Sequence, residues 1–238
     1  MVGIGPGGPG DRTRRAEAAI AESQVLVGYD RYLGLVADLV AGKELFSSGM
    51  TEEVQRCRLA LEHAGAGKTV ALICSGDAGI YGMAGLAIEL AHGQGAGVAV
   101  EIIPGVTAAS AAAARFGAPL MLDFAAISLS DLLIPWETIR RRLEALAAAD
   151  LVVALYNPKS SRRVRQFEEA VEILRRHRPA ETPVGVATAV GTDEERLALT
   201  DLERVLKEPV DMRTIVIVGN SMSRIIDGWF VTSRGYAV

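Results

Sequence analysis

"VGIGPGGPG", residues 2–10, carries a short apolar run straight into a turn of glycines and prolines. Read literally, Gly3-x-Gly5-x-x-Gly8 matches the glycine fingerprint of a dinucleotide-binding fold. Asp30, just after "VLVGY", stands roughly where that fold places the acidic residue that holds a ribose. Two residues argue against that reading. Pro6 removes an amide N–H from the very turn that would donate to a pyrophosphate. Gly8-Pro9-Gly10 then delays the helix, so its N-terminus does not reach the usual phosphate position. What remains is either a glycine turn lining the site of some other ligand, or a turn with a purely structural role.

Working outward, short apolar runs alternate with helical patterns. A helix is expected over 11–22, a buried strand at "VLVG" (25–28), and a helical stretch through Val40. A further helix spans Thr51 to His63, its first turn loaded with Glu52 and Glu53, and "TVALICS" (69–75) succeeds it as a strand. "VAVEII" (98–103) reads as another strand, punctuated by Pro104-Gly105 before an Ala-rich helical stretch to Phe116. Strand, turn and helix in repetition predict an α/β fold with a mostly parallel sheet and helices on its faces. Ligands collect at the carboxyl ends of such strands. "PGGPG", "SGDAGIYG" (75–82) and "PGVTAAS" (104–110) all fall there. From Ala118 to Trp136 the pattern becomes an extended crossing segment, with Pro135 opening a new helix. "LVVALYNP" (151–158), "TPVGVATAVG" (182–191) and "TIVIVGNS" (214–221) are the strands of a second half. The domain break is expected near 118–128, giving domains 1–120 and 121–238.

Bulk properties narrow the function classes. With 238 residues, half of them apolar, the chain has a substantial core available. A net charge of -4 argues against a general nucleic-acid binder. Cys57 and Cys74 form no C-x-x-C pair, so a reducing cytoplasm is expected, and Cys74 reads as a small core residue. His63, His92 and His177 lack ligand spacing and read as surface helix residues, so no metal site is expected. No leader and no run of membrane-spanning length is visible, and no membrane association is expected.

Three turns offer candidate ligand groups. In "SGDAGIYG", glycines allow a ligand close to the backbone, and Asp77 is placed to accept from a ribose or an amine, or to cap a helix starting near Ile80. In "PGVTAAS", Thr107 either caps the Ala-rich helix or borders room for a bulky group. In "YNPKSSRR" (156–163), Asn157 before Pro158 is biased to extended backbone with its amide free for a ligand. Lys159, Arg162, Arg163 and Arg165, with Arg140, Arg141 and Arg142, read mainly as solvated helix faces, a few being available to an acidic substrate.

Together the series GxGPG, SGDxxxYG, PGVTAA, LYNP and a final TIVIVG resembles, over essentially the whole chain, the tetrapyrrole methyltransferases, the class III S-adenosylmethionine-dependent enzymes of corrin and sirohaem synthesis. The variant "SGDAGIYGMAG", with Ala78 where the class usually has proline, joins "LFSSGMTEEVQRC", "DFAAISLSDLLIPWE" and "ALYNPKSSRR" in resembling the branch that acts on carbon 17 of precorrin-3B. The resemblance implies a homodimer of two α/β domains with the cofactor, S-adenosyl-L-methionine, in the cleft between them. It implies cofactor contacts at Pro6, Gly76, Asp77, Ile80, Thr107, Ala108, Asn157 and Ala189, and an acidic tetrapyrrole substrate whose ring is contracted as it is methylated. Ring contraction needs proton transfers. Ser128, Ser130 and Asp131 are the candidate polar groups for them, the alternative being ordinary caps for the turn before Pro135.

Overall fold

The computed structural model describes residues 1–93 and 97–236, arranged as two compact units, Met1–Ala108 and Ala109–Val238. In the first unit, strands β1 (Val2–Gly3), β2 (Val25–Tyr29), β3 (Glu44–Ser48) and β4 (Val70–Cys74) form a sheet of order β1-β4-β2-β3. Every pairing in it is parallel, as expected. Val25 to Gly28 are buried without interruption, as a strand covered on both faces must be. Alternate residues of β2 enter opposite cores. Leu26 packs with Ile4, Ile20, Ile73 and Ile103, while Val25 and Val27 pack with Cys57, Ala60, Leu72 and Met83.

The helices of this unit start later than the periodicity alone indicates. Pro9–Asp11 form a 3₁₀ turn, and helix α1 spans Arg14–Glu22, where Thr13 accepts from the Ala16 amide at 3.1 Å. After α2 (Asp30–Gly34), helix α3 spans Glu53–Gly65 and omits Thr51, whose φ of 67° is incompatible with a right-handed turn. Helix α4 spans Ala84–Gly93. The expected strand over 98–103 is absent. Among the described residues of this segment only Ile103 bridges to the sheet, by a parallel bridge to Val2, with Ile103 N donating to Met1 O and Gly3 N to Ile103 O, both at 2.9 Å.

The second unit begins with helix α5 (Ala108–Phe116) and continues through β5 (Gly117–Ala118), β6 (Phe124–Ser128), α6 (Trp136–Ala148), β7 (Val152–Tyr156), α7 (Arg165–Arg175), β8 (Pro183–Thr188), β9 (Arg196–Asp201) and β10 (Thr214–Val218) to the hairpin β11 (Ser223–Ile226) and β12 (Trp229–Thr232). The division at Ala108 precedes the expected break at 120, because α5 packs against β8. The Phe116 ring fills the space that a Cβ on Gly185 of β8 would need, 2.6 Å away. The extended segment after Ala118 contains β6, and Pro135 stands at the N-cap of α6 as expected.

The main sheet here has order β6-β7-β10-β8-β9 and is mixed, unlike the first. Only β6 and β7 are parallel; β10 runs against both β7 and β8, and β9 against β8. Because β10 opposes both neighbours, β6, β7 and β8 all point the same way. Their carboxyl ends therefore share one edge. The core under this sheet gathers Leu129, Leu143, Leu155, Phe167, Leu174 and Val216.

Candidate functional site

In the first unit the three small-residue turns meet through their backbones. Gly5 N donates to Gly76 O at 3.1 Å and Gly76 N returns a bond to Gly5 O at 2.7 Å. Gly3 N and Ile4 N are also occupied, by Ile103 O and Cys74 O. A Cβ on Gly105 would lie 2.1 Å from Gly76 O and 2.7 Å from Gly3 O, so only glycine lets these turns touch. The amides of Gly3, Ile4 and Gly5 are thus spent on the protein itself and are not available to a phosphate. The glycines knit three turns together. Pro6 continues from this knot and is partly exposed.

Asp77 sits at the centre of the knot. Its Oδ1 accepts from Gly79 N at 2.8 Å and its Oδ2 from Gly105 N at 3.0 Å, so one carboxylate joins "SGDAGIYG" to "PGVTAAS". The alternative role for Asp77, capping a helix near Ile80, does not occur, since α4 begins only at Ala84. Between them Ile80 is exposed and Tyr81 adopts φ 53°. At Gly76 the backbone has room: a Cβ would meet Thr107 and Ala108 no nearer than 3.9 Å. Thr107 and Ala108 are half-buried where α5 starts.

In the second unit Ser128, Asn157 and Ala189 end or come directly after β6, β7 and β8 at the shared edge. Asn157 differs from expectation. Its φ is 47°, left-handed rather than extended, and its Nδ2 donates to Ser128 Oγ at 3.1 Å instead of standing free. Asparagine tolerates this conformation better than most residues, and the pairing with Ser128 over-determines it. Ala189 is buried with φ 52°, its amide donating to Arg213 O at 3.1 Å. Backbone strain held at the ends of two strands that share one sheet edge, with β10 between them, is the kind of feature that concentrates at functional sites.

Ser128 and Ser130 are brought together, the Ser130 amide donating to Ser128 Oγ at 3.2 Å. Accepting two bonds leaves the Ser128 hydroxyl hydrogen to be donated elsewhere. Asp131 faces another way: Oδ2 accepts from Gln166 Nε2 at 2.7 Å and Oδ1 lies 3.8 Å from Arg163 Nε. Arg163, expected on a solvated face, is turned inward, whereas Arg140 does lie exposed, paired with Glu137 on its own helix. Tyr156, which sequence reasoning passed over as the end of a strand, accepts from the Ala109 amide at 3.1 Å and so serves the first turn of α5. An arginine six residues beyond Asn157, in a loop too short for a free helix face, was the available signal for Arg163.

Both cysteines are buried, and burial pushes the Cys57 thiol up to about 11 and raises Cys74 as well. His63 stacks against Phe46 and His177 pairs with Glu144; among the described residues no group of His, Cys, Asp or Glu is arranged to hold a metal ion. Among the same residues no helix is long and apolar enough to cross a membrane.

A family model described as Tetrapyrrole (Corrin/Porphyrin) Methylases matches residues 1–206. The chain belongs to the tetrapyrrole methylase family. Among curated relatives, the probable cobalt-factor III C(17)-methyltransferase of Salmonella typhimurium is 46% identical over 238 residues, covering 100% of this chain and 99% of that one. The cobalt-factor III methyltransferase of Priestia megaterium is 47% identical over 99% of this chain, which spans only 44% of that longer protein. The precorrin-3B C(17)-methyltransferase of a Sinorhizobium species is 42% identical, over 95% of this chain and 90% of that one. Among solved structures, the methyltransferase CobJ superposes with a TM-score of 0.92 at 39% identity, over 98% of both chains. The uroporphyrin-III C-methyl transferase of Thermus thermophilus, complexed with S-adenyl homocysteine, gives 0.67 at 25% identity, over 92% of this methylase and 90% of that chain.

Proposed function

We propose that this chain transfers the methyl group of S-adenosylmethionine to carbon 17 of a corrin precursor, with contraction of the macrocycle, in cobalamin biosynthesis. The observation that carries this is the 46% identity to the Salmonella protein over essentially the whole of both chains. That protein's name also favours the cobalt-loaded substrate, cobalt-factor III, over metal-free precorrin-3B. We assign Pro6, Gly76, Asp77, Ile80, Thr107, Ala108, Asn157 and Ala189 to cofactor contacts, and Ser128, Ser130 and Asp131 to the macrocycle. A homodimer in the cytoplasm completes the reading, and sedimentation at micromolar concentration tests the dimer.

The fit rests on shape. Gly76 packs at van der Waals distance on Thr107 and Ala108, which keeps the small residues of the two turns side by side, and the engaged amides of Gly3, Ile4 and Gly5 suit a ligand without phosphate. S-adenosylmethionine supplies a methyl already activated by its sulfonium, and the ring carbon is already nucleophilic. The protein's contribution is to align the two at ~3–3.5 Å and to exclude water. The Ser128 hydroxyl, holding two donors and free to donate its own hydrogen, is the group suited to steady a developing oxygen charge during contraction. The test is incubation with S-adenosylmethionine and either cobalt-factor III or precorrin-3B, with product mass and NMR. A single added methyl on carbon 17 of the cobalt form is expected; methylation at another ring carbon overturns the reading.

A further inference from the structure

Arg163 is the most heavily engaged side chain at the shared edge of the second unit. Its backbone is closed into a tight turn, Ser160 N donating to Arg163 O at 2.9 Å and Arg163 N to Ser160 Oγ at 3.1 Å, which fixes where the side chain departs. From there the two hydrogens of Nη1 serve three carbonyls, Asn157 O at 2.6 Å, Leu129 O at 3.0 Å and, sharing a hydrogen, Pro158 O at 3.3 Å. Nε faces Asp131, and the side chain is only 11% exposed. One planar guanidinium therefore ties the end of β7 to the end of β6. It grips the carbonyl of the residue whose φ is left-handed and the carbonyl next to Ser128. The link is closed a second time by Asn157 Nδ2 on Ser128 Oγ and a third by Leu129 N on Tyr156 O at 2.9 Å.

We infer that Arg163 is a positioning residue for the methyl-transfer site, holding Asn157 in its left-handed conformation and the Ser128–Ser130 turn beside it as one rigid body. The inference rests on the proposed assignment of Asn157 to the cofactor and Ser128 to the macrocycle. Burial lowers the guanidinium's pKa from its ordinary value and Asp131 opposes that shift, so the buried charge has its counter-ion in the same segment it organises. Lysine cannot substitute. Its ammonium stands one bond short of the Nη1 position that reaches both loops, and it has no Nε–H to face Asp131.

The test is calorimetric titration of the whole chain with S-adenosylhomocysteine, for the parent, Arg163→Lys, Arg163→Ala, Asn157→Ala and the Asn157→Ala/Arg163→Ala double variant. Each single variant is expected to raise Kd at least tenfold. The double variant is expected to be no more than twofold weaker than the weaker single, because both remove the same unit; a merely structural loss would add instead. Millimolar guanidinium ion is expected to restore most of the affinity of Arg163→Ala and none to Arg163→Lys. Arg163→Lys binding within twofold of the parent, while Asn157→Ala is tenfold weaker, overturns this inference and leaves the proposed site standing. An unchanged Kd for Asn157→Ala overturns both. Should Arg163 variants fail to fold, hydrogen exchange on the parent decides: S-adenosylhomocysteine is expected to slow exchange at Leu129 and Ser130 together with 157–160. Protection confined to 157–160 overturns the inference.

Discussion

Gly105→Ala places the first side-chain carbon where the knot of turns has no space for it. The Cβ would lie 2.1 Å from Gly76 O and 2.7 Å from Gly3 O, and both obstacles are backbone, which cannot rotate aside. Reaching ordinary contact means that the turns separate by roughly an ångström, an overpacking that costs about 1–3 kcal/mol. The same movement stretches Gly105 N on Asp77 Oδ2 and the reciprocal pair between Gly5 and Gly76. Losing one of these bonds adds about 1 kcal/mol. The total is about 2–4 kcal/mol, which for a chain of 238 residues lowers Tm by about 5–15 °C. Differential scanning calorimetry reads the shift, and titration with S-adenosylhomocysteine reads the effect on the turns as a ligand surface, expected as a loss of at least tenfold. Gly85→Ala is the control: nothing lies within 4 Å of its Cβ, in helix α4, so it is expected to stabilise by up to about 1 kcal/mol. A Gly105→Ala protein melting within about 2 °C of the parent would refute the claim that backbone contact between the turns requires glycine.

Ala189→Val forces a β-branched residue into φ 52° and is expected to cost about 1–2 kcal/mol in urea denaturation, with Ala189→Gly no less stable than the parent. Phe116→Ala empties the space over Gly185 and is expected to cost about 3–5 kcal/mol, measured by the same denaturation. Because burial raises both thiols, with Cys57 at about 11, the reactive thiolate is scarce at pH 8. Native protein is therefore expected to react with a chromogenic disulfide reagent at neither cysteine at pH 8, and at both once unfolded; rapid labelling of the native form would contradict the burial.

Much of the first unit is legible in the sequence because a parallel sheet covered on both faces writes itself as continuous apolar runs, as in "VLVG" and "ALIC". "VAVEII" misleads for the same reason. It has the composition of a strand, yet only Ile103 bridges to the sheet, and composition carries no information about available pairing partners. The direction of β10 is equally silent, since "TIVIV" reads the same whether its neighbours run with it or against it. At the candidate site, the turns are marked by their glycines, but what those glycines contact is not. Pro158 predicts an extended Asn157; the amide bond to Ser128 and the carbonyl bond from Arg163, both from residues distant or turned unexpectedly, outweigh that local bias.

The knot of turns has an electrostatic consequence. Exposed backbone N–H groups converging in a turn form a locally positive concavity, which is what attracts anions to glycine-rich loops. Here Gly5 and Gly76 point their amides at each other's carbonyls, and Asp77 absorbs those of Gly79 and Gly105. These four N–H dipoles are aimed at protein oxygens instead of projecting outward. A surface of this kind repels no cation, so a glycine turn that looks built for phosphate is, once its amides are neutralised, compatible with a ligand bearing a positively charged sulfur.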